Sequence, residues 1–146
     1  MSAVQTTETT VDADVEQIRR LVHEYSRAID TFQLTGVVGT FADDAVWDMS
    51  ALGAPQASGI DQVRAAFAAL IDSLTACCHF TTNHLVDVDG DTATGTVYCH
   101  AFAVGADGSR AENLVLYSDD YTRTAKGWKF QRRTVTPLMP AAAPAE

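Results

Sequence analysis

Cys77-Cys78-His79-Phe80-Thr81-Thr82-Asn83-His84-Leu85-Val86-Asp87-Val88 is where the periodicity of the chain changes. Upstream of this stretch apolar residues recur at helical spacing. From it onward they alternate, as side chains do on the two faces of a strand. Simple alternation puts Cys77, His79, Thr81 and Asn83 on one face and Cys78, Phe80, Thr82, His84 and Val86 on the other. The first face is small and polar, which suits the wall of a pocket better than a packed core.

Downstream, the alternation predicts four strands, about 77–88, 92–104, 110–124 and 128–136. They are separated by Asp89-Gly90-Asp91, Gly105 to Ser109 and Ala125 to Gly127. Turn residues at these short gaps predict a sequential antiparallel meander. Tyr98, His100 and Phe102 share one face of the second strand, and Tyr117, Asp119, Tyr121 and Arg123 one face of the third. Either face can line a pocket or make cross-strand pairs against solvent.

Upstream, Val15, Ile18, Val22, Tyr25, Ile29 and Phe32 form one helical stripe, with Asp14 and Gln17 placed to cap its start. Leu34, Val37, Val38 and Phe41 predict a short second helix. A strand over 45–49 follows, and then a loop or a short irregular hairpin over 50–58. Ser58 and Asp61 then open a third helix bearing Ile60, Val63, Phe67, Leu70, Ile71 and Leu74. Helices first and a long meander last define an α+β fold, with helices packed on one side of a curved sheet that encloses a pocket. The domain is expected over 14–137, with a disordered Thr-rich segment over 1–13 and a disordered Pro/Ala tail over 138–146.

Composition narrows the functional classes. The 146 residues carry a formal charge of −9, which disfavours nucleic acid and anionic membranes as partners. No apolar run approaches a membrane span. The acidic N-terminus lacks the basic and apolar blocks of an export signal, which predicts a cytoplasmic protein with free thiols at Cys77, Cys78 and Cys99. There is no paired Cys or His spacing for zinc, no phosphate-cradling Gly-rich loop and no Gly-x-Ser-x-Gly elbow, so neither metal nor nucleotide cofactor is expected.

Two residues stand out chemically. His79 is the side chain type most readily poised near neutral pH. Asp30 stands beside the apolar stripe at the end of the first helix, where the helix dipole disfavours negative charge. Tyr25-Ser26-Arg27-Ala28-Ile29-Asp30, Phe41-Ala42-Asp43-Asp44-Ala45-Val46-Trp47, His79-Phe80-Thr81-Thr82-Asn83, Tyr117-Ser118-Asp119-Asp120-Tyr121-Thr122-Arg123 and Gly127-Trp128-Lys129-Phe130 occur in that order. Together they resemble the SnoaL-like branch of the nuclear-transport-factor-2-like superfamily, a cone-shaped fold, over roughly residues 14–136. The likeness is to its scytalone dehydratase and hexachlorocyclohexane dehydrochlorinase members.

The resemblance implies an Asp–His pair, Asp30 and His79, inside the cone. It implies a cofactor-independent lyase, a dehydratase or related elimination or isomerisation enzyme, acting on a small, largely apolar cyclic or polyketide- or steroid-like molecule. A binding or assembly module, and a polyketide cyclase or hydroxylase, are the rival readings. Tyr25, Tyr98 or Tyr117 would donate a hydrogen bond to developing oxyanion charge. Trp47 and Phe67 would supply aromatic wall. Asp48 and Met49 fall where the dehydratases carry a pocket tyrosine. Asn83, His100 and Asp119 complete the expected pocket. Both faces of the 77–86 strand carry apolar or aromatic groups, while one helical layer can cover only one of them. A homodimer through the outer sheet face is therefore expected, as in related cones.

Overall fold

The structure is a computed structural model that describes residues 3–140. Its elements run α1 (Ala3–Asp30), α2 (Leu34–Val38), β1 (Phe41–Asp48), a single 3-10 turn (Ser50–Leu52), β2 (Ala57–Ser58), α3 (Ile60–Asp72), β3 (Leu74–Asp89), β4 (Thr92–Gly105), β5 (Arg110–Thr124) and β6 (Gly127–Pro137). One six-stranded sheet has the order β2-β1-β6-β5-β4-β3. β3 to β6 form the expected antiparallel meander. β1 joins it parallel to β6, which makes the sheet mixed. This is the α+β cone: helices against one face of a curved, mostly antiparallel sheet.

The α1 stripe reads as expected. Ile18, Val22, Tyr25 and Ile29 are all buried, and they meet Phe41, Phe67, Phe130 and Val97 in the core. The helix begins at Ala3, well before Asp14, so residues 3–13 continue it as backbone rather than lying outside it. No Gly or Pro interrupts that stretch. Asp14 therefore caps nothing. It is buried, takes both Nη atoms of Arg123 at 2.8 Å and accepts from the Trp128 indole at 3.1 Å. Residues 141–146 of the expected tail lie outside the described residues.

The other end of α1 places the site. Phe32 adopts φ 56 and donates to Ile29 O, while Gln33 N donates to Ala28 O. These two bonds make a Schellman stop with a non-glycine residue in the left-handed position. Asp30 is thereby the last helical residue, facing β3. Phe32 belongs to the stop and not to the stripe. At α3 the expected Ser58 cap is replaced by Gly59, and Gln62 Oε1 instead accepts from the Ser58 backbone N–H at 2.9 Å.

Among the register shifts of the sheet, two decide which residues face the site. In β3, Asn83 (φ 54) forms a bulge between Thr82 and Leu85. In β6 the pairing with β5 slips between Tyr121–Phe130 and Asp120–Arg132. Each bulge reverses which residues face inward beyond it.

Candidate active site

Asp30 and His79 meet at the wall of the cavity. The His79 Nδ1 lies 2.6 Å from Asp30 Oδ1, and the His79 backbone N–H donates to Asp30 Oδ2 at 3.0 Å. Cys77, two residues earlier on the same strand face, points its thiol at the same carboxylate (3.7 Å) and at Ile29 O (3.5 Å). Three donors thus converge on one acceptor, which offsets the unfavourable helix-end position of the charge. With Nδ1–H committed to Asp30, Nε2 is the nitrogen left to exchange a proton with a ligand. The two side chains keep 15% and 22% of their surface, enough for contact with a small molecule. The Cys77 thiol is pushed up to about 11, by burial first and then by the Asp30 charge, so it stays protonated at neutral pH.

His79 lines a cavity of about 150 Å³ whose wall is mainly apolar: Ile29, Trp47, Met49, Leu70, Val115 and Val135. Tyr25 and Tyr117 also face it. Burial pushes both phenols upward, so both stay neutral hydroxyls at neutral pH. The Trp47 indole N–H is buried with no partner among the described residues.

Beneath the two tyrosines lies Arg133, fully buried. Its guanidinium stacks on Tyr117 at 3.8 Å, Phe130 at 4.2 Å and Tyr25 at 4.4 Å. Asp119 accepts from its Nε at 2.8 Å and its Nη2 at 2.9 Å, both side chains being fully enclosed. Burial alone would lower the Arg133 pKa; the Asp119 carboxylate outweighs it and the net shift is upward. Tyr121 donates to Asp119 at 2.8 Å, and His84 Nε2 lies 3.1 Å from the Tyr121 hydroxyl.

Of the residues expected around the pocket, Tyr25, Trp47, Met49, Tyr117 and His79 line the cavity, and Asp30 stands behind His79. The others do not. Phe67 is wholly core, stacked on Trp47 at 3.9 Å. Asp48 points to the other side of β1, toward Ser50 and Arg132. Asn83 is exposed on the bulge, and the residue turned inward there is His84. Tyr98 and His100 stand on the outer sheet face, His100 paired with Glu112 at 2.6 Å. Asp119 lies under the cavity floor, committed to Arg133. Alternation from Trp128 and Phe130 puts Arg132 inward, but the β6 bulge turns in Arg133 instead. Asn113, on the inward parity of Val115 and Tyr117, also lines the cavity, which alternation from either neighbour would show.

The chain belongs to the SnoaL-like domain family, whose profile matches residues 12–134, within the nuclear-transport-factor-2-like superfamily. A Mycobacterium tuberculosis protein of uncharacterised function is 34% identical over 131 residues, covering 85% of each chain. A Novosphingobium aromaticivorans structure named as a candidate aromatic ring hydroxylase superposes with TM-score 0.85 at 33% identity, over 88% of this chain and 91% of that one. A candidate scytalone dehydratase from Novosphingobium aromaticivorans shares the fold, with TM-score 0.82 at 18% identity over 96% and 93%.

Proposed function

We propose that this protein is a cofactor-independent lyase, a dehydratase or related elimination or isomerisation enzyme, whose general acid/base is His79. The observation that carries the reading is the 2.6 Å Asp30–His79 contact opening on an apolar cavity. Nε2 removes a proton next to an activating or leaving group. Asp30 holds the ring in the Nδ1–H tautomer and stabilises the imidazolium that forms. The same Nε2–H then protonates the leaving group or the rearranged carbon. Tyr25 or Tyr117 donates to the oxygen on which charge develops. Tyr98 has no part in this, being on the outer face.

The cavity of about 150 Å³ selects among the substrates open to such chemistry. A cavity of that size in another protein takes up benzene. One ring with small substituents therefore fits better than a four-ring steroid or a long polyketide. A second reading, a hydroxylase-type enzyme, is favoured by the name of the Novosphingobium structure at 33% identity.

The test is turnover of cyclic hydroxy-ketones and halogenated rings, followed by proton exchange at the activated carbon. His79→Ala and Asp30→Asn should each lower the rate by about 10²–10⁴ with the fold intact, and the double variant should lose little more. A folded Asp30→Asn protein at full rate would overturn the mechanism. Product formation that consumes oxygen would favour the hydroxylase reading.

A further inference from the structure

The dyad accounts for two of three ligand-type atoms that converge at the cavity. Asp30, Cys77 and His79 each present one, and all three lie within 4.8 Å of one another. No other such group of three occurs among the described residues. Their placement follows from the fold. Cys77 and His79 are two apart on β3 and share its inward face, while the α1 stop aims Asp30 at both. All three are half-buried; Cys77 and His79 line the cavity, and Asp30 stands behind His79.

We propose that Asp30, Cys77 and His79 form a site for a zinc-like divalent cation, which competes with the proton chemistry of the dyad. A thiolate, an imidazole and a carboxylate are the mixed donor set that zinc takes at sites with three protein ligands and one open position. Tetrahedral bonds of about 2.0–2.3 Å place neighbouring ligand atoms roughly 3.3–3.6 Å apart. The Cys77 Sγ to Asp30 Oδ1 separation is 3.7 Å, already close to that edge. The Nδ1 to Oδ1 separation of 2.6 Å must open for both atoms to bind one metal.

The proton balance is simple. The thiol proton passes to solvent, and the Nδ1 proton leaves that nitrogen and reappears on Nε2. Nδ1 then binds the metal, and His79 has no free lone pair with which to act as a base. The fourth position faces the cavity, where water or a ligand heteroatom completes the shell. The site stands on the geometry of three side chains; its competition with the dyad rests on the lyase reading.

The experiment uses the untagged, metal-free full chain and needs no substrate. Cobalt(II) is titrated in, followed by its thiolate-to-metal charge-transfer absorption, and zinc is then added as competitor. The expected result is one equivalent of cobalt with a thiolate band, displaced by one equivalent of zinc. Cys77→Ser should abolish the band and weaken zinc binding by at least about 100-fold, more than is typical for loss of an outer-shell partner. Cys78→Ser should leave both unchanged. Asp30→Asn and His79→Gln, which keep side-chain volume, should each weaken zinc binding and carry the test if Cys77→Ser does not fold. Absence of the band at saturating cobalt, its survival in Cys77→Ser, or zinc binding indifferent to Asp30→Asn and His79→Gln would overturn the site. Loss of turnover in Asp30→Asn without any metal binding in the parent would leave the lyase reading standing and remove this one.

Discussion

Among the described residues, Asp119 and Arg133 form the most enclosed ion pair, neither side chain having any exposed surface. Removing one partner of such a pair strands the other charge away from water. Asp119→Asn is therefore expected to destabilise the protein by about 3–5 kcal/mol in urea unfolding. Replacing both partners, Asp119→Leu with Arg133→Met, should recover much of that loss. A single variant as stable as the parent would show that the pair carries no such weight.

His84 gives the pH dependence. Its pKa is lowered to about 4, chiefly by burial; Arg133, Arg19 and His23 push the same way and Asp119 opposes them. An unfolded histidine titrates near 6.5. Between those values the unfolded chain binds a proton that the native state does not. Stability therefore falls as pH is lowered from about 6.5 to about 4, and this contribution levels off below. His84→Asn should make thermal stability less steep across that window. An unchanged slope would count against the assignment.

At the scale of elements, β3 depends on one irregular residue. Asn83 takes the left-handed conformation, and this bulge turns His84 toward Tyr121. Just beyond the bulge, Gly95 pairs with Val86 and packs so closely that a Cβ would come within 2.7 Å of Leu85 O and 3.0 Å of the Tyr121 ring. A β-branched residue is poorly tolerated where φ is positive. Asn83→Val should cost about 1–2 kcal/mol, whereas Asn83→Gly should be near neutral. Equal stability of the two variants would mean that the bulge relaxes at no cost. Phe32 at the α1 stop is a second non-glycine in this region, a few residues from Asp30. Its strain belongs to the turn that aims the carboxylate.

At the scale of the molecule, the outer sheet face is the unusual surface. Phe80, Leu85, Tyr98, Phe102 and Leu114 stand on it with 39% to 70% of their surface exposed. Phe80 pairs with His100, and His100 with Leu114, so these groups form one cross-strand patch on β3, β4 and β5. Patches of this kind mark association surfaces. The expected outcome is a homodimer through this face in light scattering, weakened by Phe80→Lys. A monomer at high micromolar concentration would refute it. No helix among the described residues is long and apolar enough to cross a membrane.

Periodicity carried α1 and the β3–β6 meander, because helical and strand repeats are local properties of the chain and Ile18, Val22, Tyr25 and Ile29 obey them without help; Phe41, expected on the second helix, opens β1 instead, and Leu74, expected on the third, opens β3. The hairpins followed from their turn residues for the same reason. The Asp30–His79 pair was legible from family motifs joined to position: one residue closes a stripe and the other shares a polar strand face. What alternation could not show is which way a strand faces after a bulge, since one extra residue inverts every side chain beyond it. That is why Asn83 was expected inside and His84 is found there, and why Arg133 rather than Arg132 lies under the tyrosines. Nor does a lone strand reveal which of its faces the helices will cover. Tyr98 and His100 sat on a plausible pocket face until α1 packed against the other side, leaving them outside and committing Tyr117 and Asp119 to the interior.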